Sequence, residues 1–225
     1  MSEAPSPSAL TRDETRELDR KAIEELGIPS VVLMELAGLA AAREAEALAT
    51  GEGPIVVVAG RGNNGGDGYV AARHLVNRGK EASVLVLAPQ EQIAGDARIN
   101  LEILLRMGVF VQFLTPPVRW DVYQGNLTRA SVVIDALLGT GLRGEVREPA
   151  RHAIELLNHV GKPVVAVDIP SGLDCDTGEP LGVAVRATVT VTFARPKVGL
   201  EAPAAARYVG RLVVADIGIP PELTP

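Results

Sequence analysis

The sequence predicts an α/β protein, a three-layer α/β/α Rossmann-like sandwich with a mainly parallel sheet and an N-terminal α-hairpin. Short apolar runs rich in β-branched residues and leucine recur along the chain without polar alternation, as in strands covered on both faces. Segments with helical character separate these runs, which is typical of a doubly wound sheet. A glycine-rich turn follows the first run, at the point where such sheets bind ligands.

Two helices are expected ahead of the sandwich. Thr11 to Glu14 fit a capping box that begins a helix, and Gly27 is a suitable end for it. Pro29 suits the first turn of a second helix, which we expect to run to about Ala49. Its apolar face packs either on the sheet of the same chain or on a second subunit, and consists of Leu33, Leu36, Ala37, Ala40 and Ala41.

The sandwich is expected to begin at Pro54 and to alternate strands with helices. The predicted strands are Ile55–Ala59, Ser83–Leu87, Val109–Phe113, Val132–Asp135, Val164–Asp168, Thr188–Phe193 and Leu212–Ala215. The predicted helices are Gly68–Asn77, Ala94–Met107, Val122–Ala130 and Pro149–Val160. No clear helix separates the last two strands, which leaves room for a mixed sheet at that end.

Length and composition favour a single soluble domain. The predicted organisation is one domain over residues 1–225, with a loose tail (1–10), N-terminal helices (11–50) and the sandwich (54–218). The net charge of -6, without a basic cluster, argues against nucleic-acid and membrane partners, which need phosphate neutralisation. The single Cys175 forms no intrachain disulfide, and the first residues lack the features of a signal peptide. We therefore expect a cytoplasmic protein.

The first glycine-rich loop, GRGNNGGDG, has the G-x-G-x-x-G spacing of a dinucleotide-binding turn between a strand and a helix. A dehydrogenase of that type also needs an acid at the end of the next strand, and here Glu91 comes late. Asp67 sits at the predicted N-cap, where it favours the helix dipole and repels a phosphate. A plain turn with a plain capping acid stays open as the alternative.

The second loop, ALLGTGLRGE, contains a run of small residues. The backbone amides of Gly139 to Gly144 suit an anion-binding nest, and Arg143 adds a bidentate phosphate contact. The alternative is a flexible loop with a solvated arginine.

The third loop, VDIPSGLD, places Asp168 at the end of a predicted strand and Ser171 in the following turn. Ile169 stands where a nucleophile elbow requires glycine, which disfavours an acyl-transfer serine. Asp135 ends a neighbouring strand, and two acids beside a glycine nest are poorly explained by capping alone. The three histidines lack metal-ligand spacing, and DCDTG is interpreted as a turn and not as a calcium loop.

Together, the GNNGGDG loop, Asp135, GTGLRGE and DIPSG resemble the NAD(P)H-hydrate epimerases, also called the YjeF amino-terminal domain family. LMELAG and TFARPKVGL match further landmarks, so the resemblance covers nearly the whole chain. One departure is Leu36, where the family typically has asparagine.

The resemblance implies epimerisation of NADHX or NADPHX at the carbon that carries the added hydroxyl, with Asp168 as the catalytic acid/base near that carbon. It implies a bound potassium ion held by Asn64, Asp135 and Ser171. The implied substrate-binding residues are Asn63, Asn64, Gly65, Gly66, Asp67, Gly139, Thr140, Gly141, Leu142, Arg143, Gly144, Glu145 and Asp168. Expected partners are the small-molecule substrate, a second subunit in a homodimer, and a fused or separate NAD(P)HX dehydratase.

Two other functions stay open from the residues. A regulatory or interaction module that binds nucleotide without chemistry would keep both glycine loops and would have no need of Asp168. An NAD-dependent dehydrogenase is weakened by the missing ribose acid and by the lack of a histidine near these loops.

Overall fold

The computed structural model describes residues 8–223 and confirms the predicted fold class. One seven-stranded sheet runs through the described residues, in the order β3-β2-β1-β4-β5-β6-β7. The strands are β1 (Ile55–Ala59), β2 (Ala82–Val86), β3 (Phe110–Phe113), β4 (Val132–Ala136), β5 (Val164–Val167), β6 (Val189–Phe193) and β7 (Arg211–Ala215). All neighbouring strands are parallel.

Helices cover both faces of the sheet. They are α1 (Arg12–Arg20), α2 (Ser30–Leu48), α3 (Asn63–Asn77), α4 (Gly95–Arg106), α5 (Trp120–Arg129), α6 (Ala150–Val160), α7 (Val198–Glu201) and α8 (Ala206–Val209). One face packs against α2, α3 and α4 through residues such as Ala41, Tyr69 and Leu101. The other packs against α5 and α6 through Tyr123 and Ile154. The sequence left open an antiparallel strand at this end of the sheet, and this expectation is wrong. Helices α7 and α8 carry the chain across, so that β7 runs parallel to β6.

The start of α3 differs most from the prediction. The helix begins at Asn63 and not at Gly68, so the glycine motif itself forms its first turns. Gly62 is the N-cap, and Asp67 lies one turn inside the helix with only 8% of its surface exposed. The prediction of Asp67 as a capping acid is therefore wrong. Its side chain is buried within the protein, where it faces other charges.

The N-terminal helices form as predicted. Thr11 and Glu14 make the capping box of α1, whose last turn continues as a π-helical turn before Gly27 adopts a φ of +71°. In α2, Leu33, Ala37 and Ala41 are buried, and the helix packs against α3 and the sheet of the same chain. Within residues 8–223, no helix has the length and apolar character needed to cross a membrane.

The predicted loose tail falls mainly on residues 1–7, which lie outside the described residues. Its last residue, Leu10, is buried and forms a parallel bridge with Lys197. The described chain is therefore attached to the sandwich before its first helix begins.

Candidate functional site

The sheet reverses its strand order between β1 and β4, and a cavity of about 1120 Å³ opens at the carboxyl ends of these strands. This is the switch point at which doubly wound sheets bind ligands. Ten of the residues expected in the site line the cavity: Asn63, Asn64, Asp67, Gly139, Thr140, Gly141, Leu142, Arg143, Glu145 and Asp168. The structure therefore brings the three predicted loops to one cavity.

Gly65 and Gly66, which were expected to bind the substrate, instead allow α3 to pack closely against its neighbours. A Cβ added at Gly65 would lie 2.1 Å from the carbonyl oxygen of Gly60. A Cβ added at Gly66 would lie 2.6 Å from the sulfur of Met34. Neither glycine lines the cavity, and neither does Gly144, whose φ is +71°. The first two are required so that the start of α3 can approach the loop after β1 and helix α2.

Asp135 and Ser171 form a buried pair beneath the cavity. Ser171 donates its hydroxyl to Asp135 Oδ1 at 2.6 Å and its backbone N–H to Oδ2 at 2.8 Å. The Ser171 oxygen also accepts from the backbone N–H of Leu138 at 2.8 Å, which ties the loop after β4 to the loop after β5. Burial raises the pKa of Asp135 to about 6, although the hydrogen bonds from Ser171 act in the opposite direction.

Asn64 is the one residue of the described chain whose side-chain oxygen and nitrogen are both buried without a hydrogen-bond partner. A Cβ added at Gly139 would lie 3.2 Å from Asn64 Cβ and 3.6 Å from its Oδ1. The Asn64 side chain therefore packs against the loop after β4, the same loop that is hydrogen-bonded to Ser171. Buried amides normally find partners, so an orphaned pair of polar atoms indicates a ligand group.

Asp168 lies directly after β5 and adopts a φ of +66°, a conformation that non-glycine residues rarely take. Its carboxylate is 2.7 Å from Lys197 Nζ and 3.4 Å from Thr192 Oγ1. Lys197 also donates to Thr192 Oγ1 at 2.9 Å and to the carbonyl of Phe193 at 3.2 Å. Only 3% of the Lys197 side chain is exposed, so this is a shielded ion pair at the wall of the cavity.

Lys197 is a residue of the candidate site that the sequence does not indicate. It is contained in the family landmark TFARPKVGL, and no local spacing relates it to Asp168. The two meet because β5 and β6 are neighbours in the sheet.

Two further carboxyl groups line the cavity near this ion pair. Burial, with the charges of Asp168 and Asp19 adding to it, raises the pKa of Asp67 well above its ordinary value. Asp19 is an exposed residue at the border of the cavity. Desolvation by the protein that surrounds its carboxyl group raises the pKa of Asp19 to about 6, with Lys197 opposing and Asp168 adding to the shift. Asp19 comes from α1, which the sequence identified only as part of a helical hairpin. Three acids and one lysine therefore share this end of the cavity.

The DCDTG segment forms a turn, as predicted. Asp174 Oδ1 accepts hydrogen bonds from the backbone N–H groups of Asp176 and Thr177 at 3.0 and 2.9 Å. Its other oxygen accepts from Arg12 Nη2 at 2.7 Å. Within the described residues, no group of three or more histidine, cysteine, aspartate or glutamate side chains is arranged to hold a metal ion.

The family model described as "YjeF-related protein N-terminus" matches residues 30–199. A protein of Pyrobaculum aerophilum named bifunctional NAD(P)H-hydrate repair enzyme Nnr is 50% identical over 216 residues, which cover 95% of this chain and 42% of that protein. A protein of Rhodopirellula baltica named NAD(P)H-hydrate epimerase is 40% identical over 214 residues, covering 95% of this chain and 86% of that protein.

The chain thus spans less than half of the Pyrobaculum relative and most of the Rhodopirellula one. The crystal structure of the yeast protein ynu0, YNL200c, superposes with a TM-score of 0.76 at 28% identity, and covers 85% of this chain and 82% of that one. The match to the family model extends from α2 to α7 and includes all three loops of the cavity. The chain therefore belongs to the family of YjeF-related protein N-termini.

Proposed function

We propose that this chain is an NAD(P)H-hydrate epimerase, which interconverts the R and S epimers of NADHX or NADPHX. The observation that carries this proposal is the shielded Asp168–Lys197 ion pair at the wall of a cavity large enough for a nucleotide. Relatives that carry this activity in their names support it. A module that only binds nucleotide does not need a carboxylate such as Asp168 at the wall of its cavity.

The reaction needs proton transfer at a single carbon. That carbon bears both the ring nitrogen and the added hydroxyl, and either its C–O or its C–N bond must open and re-form on the other face. We propose that Asp168 accepts or returns the proton of the hydroxyl or of a water molecule. The Lys197 ammonium fixes the orientation of that carboxylate through its contacts to Thr192 and Phe193.

The loops after β1 and β4 are proposed to bind the nucleotide phosphates. Five arginines and Lys197 line the cavity, and so do six acidic residues: Asp19, Asp67, Asp96, Glu145, Glu148 and Asp168. These formal charges cancel, so the lining alone offers little net attraction to a pyrophosphate. An additional cation beside the phosphate loops would shift this balance.

Potassium fits the residues that the family resemblance implies. The orphaned Asn64 oxygen, the buried Asp135 carboxylate and the Ser171 hydroxyl are hard oxygen ligands that converge on the loop after β4. We propose that these three residues hold the ion, which supplies positive charge beside the nucleotide phosphates. Asn64 then gains the partner that the protein alone does not give it.

Potassium is expected to raise the thermal stability of the nucleotide-free protein. A ligand at 100 times its Kd stabilises the folded state by about 2.7 kcal/mol. We expect a higher Tm in KCl than in NaCl of equal ionic strength, and the substitution Asn64→Ala is expected to remove this difference. Asn63, the exposed residue next to Asn64, provides the matched control, because Asn63→Ala should keep the difference in Tm between the two salts. An equal potassium response in both variants would contradict the assignment of Asn64.

The epimerase activity is tested by mixing purified R and S NADHX with an S-specific dehydratase, with and without this protein. We expect complete loss of the hydrate only when the protein is present, because the dehydratase alone leaves the R epimer. A reaction without either protein measures spontaneous epimerisation. Persistence of the R epimer at high protein concentration with potassium present would favour the nucleotide-binding module instead.

A cytoplasmic location and a homodimer are also proposals. The single buried Cys175 supports a reducing compartment, since no disulfide depends on it. Ile23, Leu26 and Val32 are exposed apolar residues of the N-terminal hairpin and support a contact between two copies. Light scattering measures the assembly directly, and a monomer at all concentrations would contradict the dimer.

A further inference from the structure

The residues that precede the family match, which begins at residue 30, contact the chain around Lys197 of the Asp168–Lys197 ion pair. Leu10 donates its backbone N–H to Pro196 O at 2.8 Å and accepts from Val198 N at 3.0 Å, so its backbone pairs on both sides of Lys197. From there α1 runs along the cavity, which it lines with Thr15, Arg16, Leu18 and Asp19. The N-terminal helix is therefore a wall of the cavity and not an appendage.

Arg12 fixes the start of this wall. Its guanidinium donates to Asp174 Oδ2 at 2.7 Å, to the carbonyl of Leu142 at 2.8 Å and to Cys175 Sγ at 3.2 Å. Its backbone N–H donates to Asp176 Oδ1 at 2.7 Å. With 7% of its surface exposed, Arg12 locks α1 to the DCDTG turn and to the proposed phosphate loop.

Asp19 lies about two helical turns beyond Arg12 and lines the cavity. Within residues 8–223 its carboxyl group has neither a hydrogen bond nor an ion pair, yet it interacts electrostatically with Asp168 and Lys197. Other charged residues that line the cavity include Arg16 on α1 itself, Asp67 on α3 and Arg195 after β6. A carboxyl group that lines the same cavity as the Asp168–Lys197 ion pair is available to a substrate.

Inversion of the carbinolamine carbon requires both a proton donor and a proton acceptor. When the C–O bond breaks, its electron pair stays on oxygen, which takes a proton from the donor and leaves as water while the ring nitrogen forms C=N. A water molecule then adds from the other face and gives one proton to the acceptor. Ring opening has the same need, since the hydroxyl proton leaves while the ring nitrogen gains one. Because the departing and the incoming oxygen lie on opposite faces of the ring, two carboxyl groups on opposite sides serve these two roles better than one.

We propose that Asp19 is the second proton-transferring residue of this centre, acting with Asp168 on the same carbon. This inference rests on the proposed epimerase function. In one direction of the reaction Asp19 donates and Asp168 accepts, and in the other direction the roles are exchanged. A carboxyl group that titrates near neutral pH suits both roles, and the pKa of Asp19 is raised to about 6.

The test compares Asp19→Asn with Asp13→Asn on the same helix. Asp13 is the matched control because 88% of its side chain is exposed and its ion pair with Arg16 is 3.9 Å long. We expect Asp19→Asn to lower kcat about 10²-fold or more, while the Kd for NADPH stays within about threefold of the unsubstituted protein. Asp19→Glu, which keeps the carboxyl group, should recover part of the rate.

The pH dependence of kcat separates proton transfer from a structural role. The unsubstituted protein and Asp13→Asn should both show an inflection near pH 6, and Asp19→Asn should lack it. A kcat for Asp19→Asn within about twofold of that of Asp13→Asn, or an unchanged pH profile, would overturn the inference. If the unsubstituted protein binds NADPH but does not epimerise, the proposed function itself fails, which is a different outcome.

Discussion

Replacing Asp168 with asparagine is expected to lower kcat by about 10²–10⁴-fold, because asparagine keeps the shape of the side chain but transfers no proton. NADPH binding should change little, since the proposed phosphate loops lie after β1 and β4 and do not depend on this carboxylate. The rate is measured in the assay coupled to the S-specific dehydratase, and binding by calorimetry with NADPH. A variant that keeps the full rate would remove Asp168 from the chemistry.

The same substitution leaves Lys197 without its carboxylate. Breaking a buried ion pair by removing one partner costs up to about 3–5 kcal/mol, although Thr192 and the Phe193 carbonyl remain as acceptors for the ammonium. The double variant Asp168→Asn with Lys197→Met removes both charges. We expect it to recover stability in urea unfolding while the rate stays low, which separates catalysis from folding.

The second large effect is expected at Gly65. The substitution Gly65→Ala places a methyl group 2.1 Å from the Gly60 carbonyl oxygen, an overlap that only a shift of the backbone relieves. Overpacking of this kind costs about 1–3 kcal/mol or more. Because the shift moves the start of α3, Asn64 and Asp67 move with it. We expect lower stability in urea unfolding and at least tenfold weaker NADPH binding.

A helical glycine elsewhere provides the control. Gly125 lies inside α5, and a Cβ added there has no neighbour within 4 Å. Gly125→Ala should therefore stabilise the protein by about 0.5–1 kcal/mol through helix propensity, with nucleotide binding unchanged. If Gly65→Ala behaved like Gly125→Ala, the close approach of α3 to Gly60 would play no part in forming the site.

The sheet and the position of the site were accessible from the sequence because both depend on local patterns. Buried parallel strands appear as continuous apolar runs, and the glycine loops directly follow two of them. Asp135 and Asp168 could be placed at neighbouring strand ends for the same reason. The start of α3 was missed because Asn-Asn-Gly-Gly is a turn sequence by local propensity. It becomes helical here through the contacts of Gly65 and Gly66 with Gly60 and α2.

Lys197 and Asp19 were missed for a different reason. Asp19 lies in no motif that marks it, the landmark that contains Lys197 gives no role for it, and both reach the site through long-range packing. Lys197 approaches Asp168 because β6 lies beside β5, and Asp19 does so because Leu10 and Arg12 attach α1 to distant loops. Pairing of this kind is a property of the assembled sheet and is not encoded in any short stretch of the sequence.

The backbone pairing of Leu10 with Pro196 and Val198 also has a consequence for synthesis on the ribosome. Both residues that flank Lys197, Pro196 and Val198, are synthesised long after Leu10, near the other end of the described chain. At roughly 5–20 residues per second, the N-terminal segment waits about 10–40 s before its place beside Lys197 exists. During that interval a nascent chain has its glycine loops but not the wall formed by α1. The chain thus acquires its complete cavity only after Val198 has been synthesised.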